Sequence, residues 1–384
     1  MRHRFAGLLA ASAAVAPSLI LPVGSASAAP SVTSPLGNLT AASASAGNNA
    51  WAVGCRPLAT GQCPSSGADS AYHFNGKSWK AVPVPMPVPP NPQDSEEGQF
   101  NGVATISATD AWAVGTASPT GAQIAHWNGK SWKQISVPAL PSPYGKSYTL
   151  SAVSASSASN VWAVGSGGNG ETIALHFNGK SWKRVHSPSP GTSFLNGVVT
   201  TSSRNAWAVG TDSGSCSCAK AVIERWNGKT WKVAFNGLPS FQTFLAGVAA
   251  SSASNAWAVG FTHATVNVSA LMHWNGKSWK RVTNGAGPGT ANGASTVFGV
   301  ATTSAKNAWA AGSGASRTKI MRFTGTSWKS VPLPAEPGLV SSLAAVTATS
   351  VSNAWAVGSY TDGTNTPHAV ILHWNGTSWK RVAA

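Results

Sequence analysis

Histidines, carboxylates and lysines are the side chains of this chain with chemistry to offer, and many of them recur at fixed spacing. His73, His126, His176, His273 and His373 each precede an aromatic residue and Asn-Gly, and Arg225 and Arg322 hold the same place elsewhere. Five imidazoles invite a metal reading, but they sit in separate repeats and give way to arginine twice, which speaks against ligation. The expectation is instead a histidine hydrogen-bonded toward the Ser or Thr of the hairpin that follows. Asp69, Glu96, Glu97, Asp212 and Asp362, with Tyr72, Tyr360, His263 and His368, occur once each and are the candidates for a general acid or base. Their spacing matches no known catalytic constellation. Asp94-Ser-Glu96-Glu97 and Asp362-Gly-Thr-Asn365 read as solvated loops rather than Ca²⁺ sites. No metal and no cofactor is expected.

The elements that position these residues follow from one pattern. Asn255-Ala-Trp-Ala-Val-Gly260, followed by His273-Trp-Asn-Gly-Lys-Ser-Trp-Lys280, recurs seven times with small changes. Trp51, Trp112, Trp162, Trp207, Trp257, Trp309 and Trp355 mark the first half, and Trp79, Trp132, Trp182, Trp231, Trp279, Trp328 and Trp379 the second. With Trp127, Trp226, Trp274 and Trp374 these are all 18 tryptophans. Short strands repeating roughly every 45 to 60 residues predict a β-propeller. The fold class is therefore all-β, with seven blades of four antiparallel strands over residues 36–384.

The fifth repeat shows the plan of strands a to d, innermost first: 245–251, 256–260, 270–274 and 278–282. Asn275-Gly276 closes the c–d hairpin, because such a turn needs positive φ. Trp274 and Trp279 fall on one face and His273 on the other. In strand b, Trp257 and Val259 share one face and two alanines the other, so stacked blades meet large against small. Packing alone accounts for the fourteen repeated tryptophans, since truncating a buried Trp costs about 3–5 kcal/mol.

An up-and-down blade puts its a–b and c–d turns on one side of the ring, here called the turn face, and its b–c and d–a connections on the other, the loop face. The turn face carries Lys77, Lys130, Lys180, Lys229 and Lys277 together with Arg204 and Lys306. The loop face carries most acids and the two most irregular loops: the cysteine-bearing 55–72 and the proline-rich 82–92, whose alternating prolines predict polyproline II. The lysine after each second Trp, such as Lys80 and Lys280, lies on the outermost strand, where charge blocks edge-to-edge pairing. Strand a supplies Ser, Thr, Ala and Val to the central channel, which offers no acid or base.

Bulk properties set the compartment. Arg2 and Arg4, an apolar run to Val23 and Ala26-Ser27-Ala28 read as a signal peptide over 1–28, followed by an extension at 29–35. Net charge is +16, or +14 without Arg2 and Arg4. In an exported, cell-wall-associated chain that charge points to glycans, acidic cell-wall polymers or headgroups before nucleic acid. No later stretch reaches the ~20 apolar residues of a membrane helix. Cys55 with Cys63, and Cys216 with Cys218, are expected to form two local loop bridges.

Seven such repeats resemble the seven-bladed propellers of secreted actinobacterial proteins. The turn Asn227-Gly-Lys-Thr-Trp231 is similar to the end of the Asp-box of sialidase-like propellers, though one residue shorter. The glycine doublet of kelch repeats and the Trp-Asp ending of WD repeats are missing. A sialidase would need an arginine triad and a Tyr/Glu pair, which this chain does not furnish. The resemblance implies fold more than activity. Three readings remain: a non-catalytic monomer that binds an extracellular glycan or anionic wall polymer, a protein-partner scaffold using the proline arm, and a carbohydrate-active hydrolase or lyase on the loop face.

Overall fold

The computed structural model describes residues 37–384 apart from 58–66, 86–96, 119–120, 141–147, 169, 189–190, 192, 215–218, 238–241, 264–266, 283–294, 315–316, 336–339, 365 and 384. The unit Thr33–Ala384 is an all-β propeller of seven four-stranded sheets, each running a to d in chain order. In blade five the strands are Gln242–Ser252, Asn255–His263, Asn267–Trp274 and Trp279–Arg281. No described helix is long and apolar enough to cross a membrane.

Local chemistry sets each hairpin. Trp274 pairs with Trp279, so the c–d loop spans the four residues between them. Gly276 sits at φ 93°, and Asn275 Oδ1 accepts the amides of Lys277 and Ser278, both at 3.0 Å. The side chain thus supplies an acceptor that the turn backbone lacks.

Packing between blades repeats one contact. The face of blade four bearing Trp207 and Val209 meets Ala256, Ala258, Met272, Trp274 and Trp279 of blade five. Trp279 stands edge-on to Trp207, with centroids 5.1 Å apart at 87°. Such pairs add about 0.5–1.5 kcal/mol beyond the area they bury. Fourteen indole N–H groups, from strands b and d, are buried there without a hydrogen-bond acceptor among the described residues. The ring closes in the same way, with Trp355 and Val357 of blade seven against Ala50, Ala52, Tyr72 and Trp79 of blade one. Gly37 N also donates to Pro367 O at 3.0 Å. All four strands of blade seven come from one continuous stretch of chain.

At the channel edge, polar side chains of strand a bond the neighbouring blade. Thr40 Oγ1 donates to Phe100 O at 2.6 Å, Asn101 Nδ2 to Leu150 O at 3.0 Å and Asn196 Nδ2 to Leu245 O at 2.8 Å.

Candidate functional site

The two kinds of turn lie against each other, as an up-and-down blade requires. A methyl on Gly276 of the c–d turn would lie 3.2 Å from Ser254 Cβ of the a–b turn, and one on Gly228 would lie 3.1 Å from Arg204 Cγ. Lys77, Lys130, Lys180, Lys229 and Lys277 are exposed on these turns, and Lys80, Lys133, Lys183, Lys232, Lys280, Lys329 and Lys380 along the outer strands. The turn positions in blades six and seven hold Thr326 and Thr377 instead.

Above each strand-b indole sits the repeated histidine or arginine. The His273 ring stacks on Trp257 at 4.2 Å, and its Nε2 meets Asn255 Oδ1 at 2.9 Å. His73, His176 and His373 bond Asn49, Asn160 and Asn353 in the same way, at 2.7, 2.8 and 2.7 Å. This corrects the expectation of a hairpin Ser or Thr as partner. The Asn amide already donates to a hydroxyl, Asn255 Nδ2 to Ser251 Oγ at 2.8 Å, which fixes its oxygen as acceptor and makes His273 Nε2 the donor. Burial holds His73, His176, His273 and His373 below the ordinary histidine range. In blade two an acid replaces the amide, and His126 lies 2.9 Å from Asp110.

Arginine fits the same slot without losing either contact. Arg225 Cζ lies 4.9 Å from the Trp207 ring and 5.3 Å from Trp274, and Nε and Nη2 donate to Asn205 Oδ1 at 3.3 and 3.2 Å. Arg322 lies 4.9 Å from Trp309 and donates to Asn307. Histidine and arginine are interchangeable here because each presents a flat ring or guanidinium plane to the indole and an N–H to the amide oxygen.

Among the described residues, the loop-face acids lie on separate blades. Asp69 lies in blade one, Asp212 in blade four and Asp362 in blade seven. Glu97 begins strand a of blade two, while Asp94, Glu96, Cys63, Cys216, Cys218 and most of the proline arm lie outside the described residues, and both expected bridges with them. Tyr72 is buried in the closure cluster rather than presented to solvent. Asp212 is buried and accepts the amide of Gly214 at 2.9 Å. His263 Nδ1 lies 2.8 Å from Asn267 Oδ1. Asp362 bonds His368 at 2.8 Å and the amides of Thr364 and Thr366 at 2.9 and 3.0 Å. The hydroxyl of Thr364, which donates to Oδ1 at 2.7 Å, and then the His368 and amide bonds hold the Asp362 carboxyl well below the usual range. Tyr360 stacks on His368 at 4.9 Å. No group of three metal-ligand side chains occurs among the described residues.

The candidates read from the sequence do not include Glu224. Glu224 is fully buried between blades three and four, where Ser187 Oγ donates to its Oε2 at 2.7 Å, and burial raises its pKa to about 7. Asp69 is likewise raised to about 7 by burial, offset by a hydrogen bond from Gln123 of blade two at 2.9 Å. A charged residue amid Val222, Ile223 and a buried strand was the available signal.

These features define the class: a seven-bladed β-propeller with exposed lysines on five of its c–d turns. Comparison with known proteins places it among solved propellers at the level of fold. BP39L lectin from Burkholderia pseudomallei is similar at 13% identity and TM-score 0.55, covering 91% of this chain and 100% of that one. YCF48 bound to D1 peptide matches at 15% identity and TM-score 0.54, covering 91% and 93%. SapL1 lectin in complex with alpha methyl fucoside matches at 13% and 0.51, covering 76% and 97%. No family model matches the chain, and no curated protein does.

Proposed function

We propose that this chain is an exported, non-catalytic propeller that binds an extracellular glycan or anionic cell-wall polymer on its turn face. The observation that carries the reading is the repetition of exposed lysines on ordered hairpins, each beside a cation or imidazole stacked on an indole. A ring of like sites suits a ligand that itself repeats, because several weak contacts then add through effective concentration. The placement of Asp69, Asp212 and Asp362, the loop-face candidate acids described with their side chains, on three different blades favours binding over catalysis. Two of the similar folds are lectins, one of them solved with a fucoside, which agrees with a sugar ligand. The peptide held by YCF48 supports a protein partner as the second reading.

The test is binding to cell-wall fractions and a glycan array by wild type and by Lys130→Glu/Lys180→Glu/Lys277→Glu. Loss of binding with an unchanged melting temperature is expected. Equal binding by both proteins would remove the turn face from the reading, and a co-purifying protein with no glycan signal would favour the partner scaffold.

A further inference from the structure

One corner of the turn face differs from the other six. In blade four the a–b turn carries Arg204, strand c Arg225, the c–d turn Lys229 and strand d Lys232. Arg225 and Lys232 are direct cross-strand partners, an arrangement of like charges that costs stability when uncompensated. The Arg204 stem lies against Gly228, immediately before Lys229, and Trp226 Nε1 donates to Ser203 O at 3.0 Å, tying the two turns together. None of the four cations joins an ion pair among the described residues. The acid next in sequence, Glu224, is buried and bonded to Ser187 of blade three, so it offers no compensation.

The guanidinium at the centre is already fixed. Two indoles flank it, and two of its five N–H groups are committed to Asn205 Oδ1. Asn205 is itself held by a bond from Nδ2 to Thr201 Oγ1 at 2.8 Å. Little side-chain entropy remains to be lost on binding, and three N–H groups remain for a ligand. Blade six shows the contrast. It has Lys306, Arg322 and Lys329, but Thr326 replaces the turn lysine, and Arg322 Nη2 donates to Val351 O of blade seven at 3.1 Å. In the other five blades the central position is histidine.

We propose that the blade-four corner is the primary seat for an oxyanion group, a sulfate, phosphate or carboxylate substituent, of the anionic polymer. The inference rests on the turn-face reading and sharpens it to one blade. An oxyanion with two or more acceptor oxygens meets both the guanidinium and the lysines, the geometry in which charge-assisted hydrogen bonds are strongest. The neighbouring blades then hold the rest of the polymer through single lysines.

The experiment is calorimetric titration at pH 8 of wild type, Arg225→His, Arg204→Ser and Arg322→His with dextran sulfate, polyphosphate and polygalacturonate. Neutral dextran and single-stranded DNA serve as controls. Each substitution installs a residue that other blades use at that position, so the fold is retained, which the melting temperature checks. Arg225→His and Arg204→Ser are each expected to weaken binding of the preferred polyanion about tenfold. Arg322→His should weaken it less than about twofold, as expected for a rim charge. The three polymers separate sulfate, phosphate and carboxylate as the source. Equal losses in all three variants would overturn the blade-four assignment and leave the turn-face reading intact. Binding of neutral glycans without polyanions would overturn the inference but not glycan binding. Preference for DNA, or no binding by the wild type, would overturn both.

Discussion

The Trp355 ring of the last blade meets the edge of Trp79 in the first at 5.2 Å and 88°, the relationship that Trp257 has with Trp328 at 5.0 Å and 87°. Closure therefore uses the same contact as every other blade junction. Trp79→Ala and Trp328→Ala should each cost about 3–5 kcal/mol, read as equal falls in the urea midpoint. A much smaller loss for Trp79→Ala would mean that the first and last blades are held by something else.

The glycine that ends each Trp-Ala-Val-Gly segment has a separate cause. Strand a bulges between Leu245 and Gly247, and this brings the Phe244 carbonyl oxygen and Leu245 Cα into the space a Cβ on Gly260 would occupy. The same overlap occurs at Gly54, Gly115, Gly165, Gly210, Gly312 and Gly358. Backbone cannot give way as a side chain can, so Gly260→Ala should destabilise by about 3 kcal/mol or more. Gly363→Ala, with no atom within 4 Å of the added carbon, should change the melting temperature little. Similar melting of the two variants would contradict the close approach.

Glu224 gives the fold a pH dependence of defined sign. Its folded-state pKa of about 7 lies above the ordinary carboxylate value near 4. Between those values the folded chain keeps a proton that the unfolded chain has released. Stability therefore falls as pH rises across that window and is flat above it, by a few kcal/mol for a fully buried group. Asp69, raised to about 7, acts in the same direction. Glu224→Gln should keep the bond to Ser187, abolish its share of the slope and be more stable than wild type at pH 8. Urea midpoints at pH 5 and pH 8 measure this, and parallel slopes for the two proteins would count against a buried protonated acid.

How much of this was legible beforehand depends on what kind of contact is involved. The blade number, the strand order and the large-against-small packing of Trp257 and Val259 follow from periodicity within single strands, which any sequence displays. The partner of His273 does not: Asn255 lies 18 residues upstream, and only the register of strands b and c brings its amide under the imidazole. The pairing of Glu224 with Ser187 crosses between blades, and no local pattern specifies which residues of two repeats will meet. The strand-b glycine was visible as a repeat, but its reason lies in a bulge of the neighbouring strand. The loop-face acids looked like one group only because the topology put them on one side. Among the described side chains, Asp69, Asp212 and Asp362 belong to three different blades.

The exchange of histidine for arginine at the repeated strand-c position makes the last prediction. Arg225 stacks on Trp207 and donates to Asn205 as His273 stacks on Trp257 and donates to Asn255. His273→Arg should therefore change stability by less than about 1 kcal/mol, whereas His273→Ala strands the Oδ1 of buried Asn255 and should cost about 1–3 kcal/mol. The two residues differ in proton linkage. Burial lowers the His273 pKa below 6.5, so as pH falls through 6.5 the unfolded chain takes up a proton first and stability declines. Arginine stays charged in both states and removes that share of the acid loss. Thermal melts at pH 5 and pH 7.5 should show His273→Arg losing less on acidification than wild type. An unchanged acid loss would mean that the stacked imidazole titrates as freely as an exposed one.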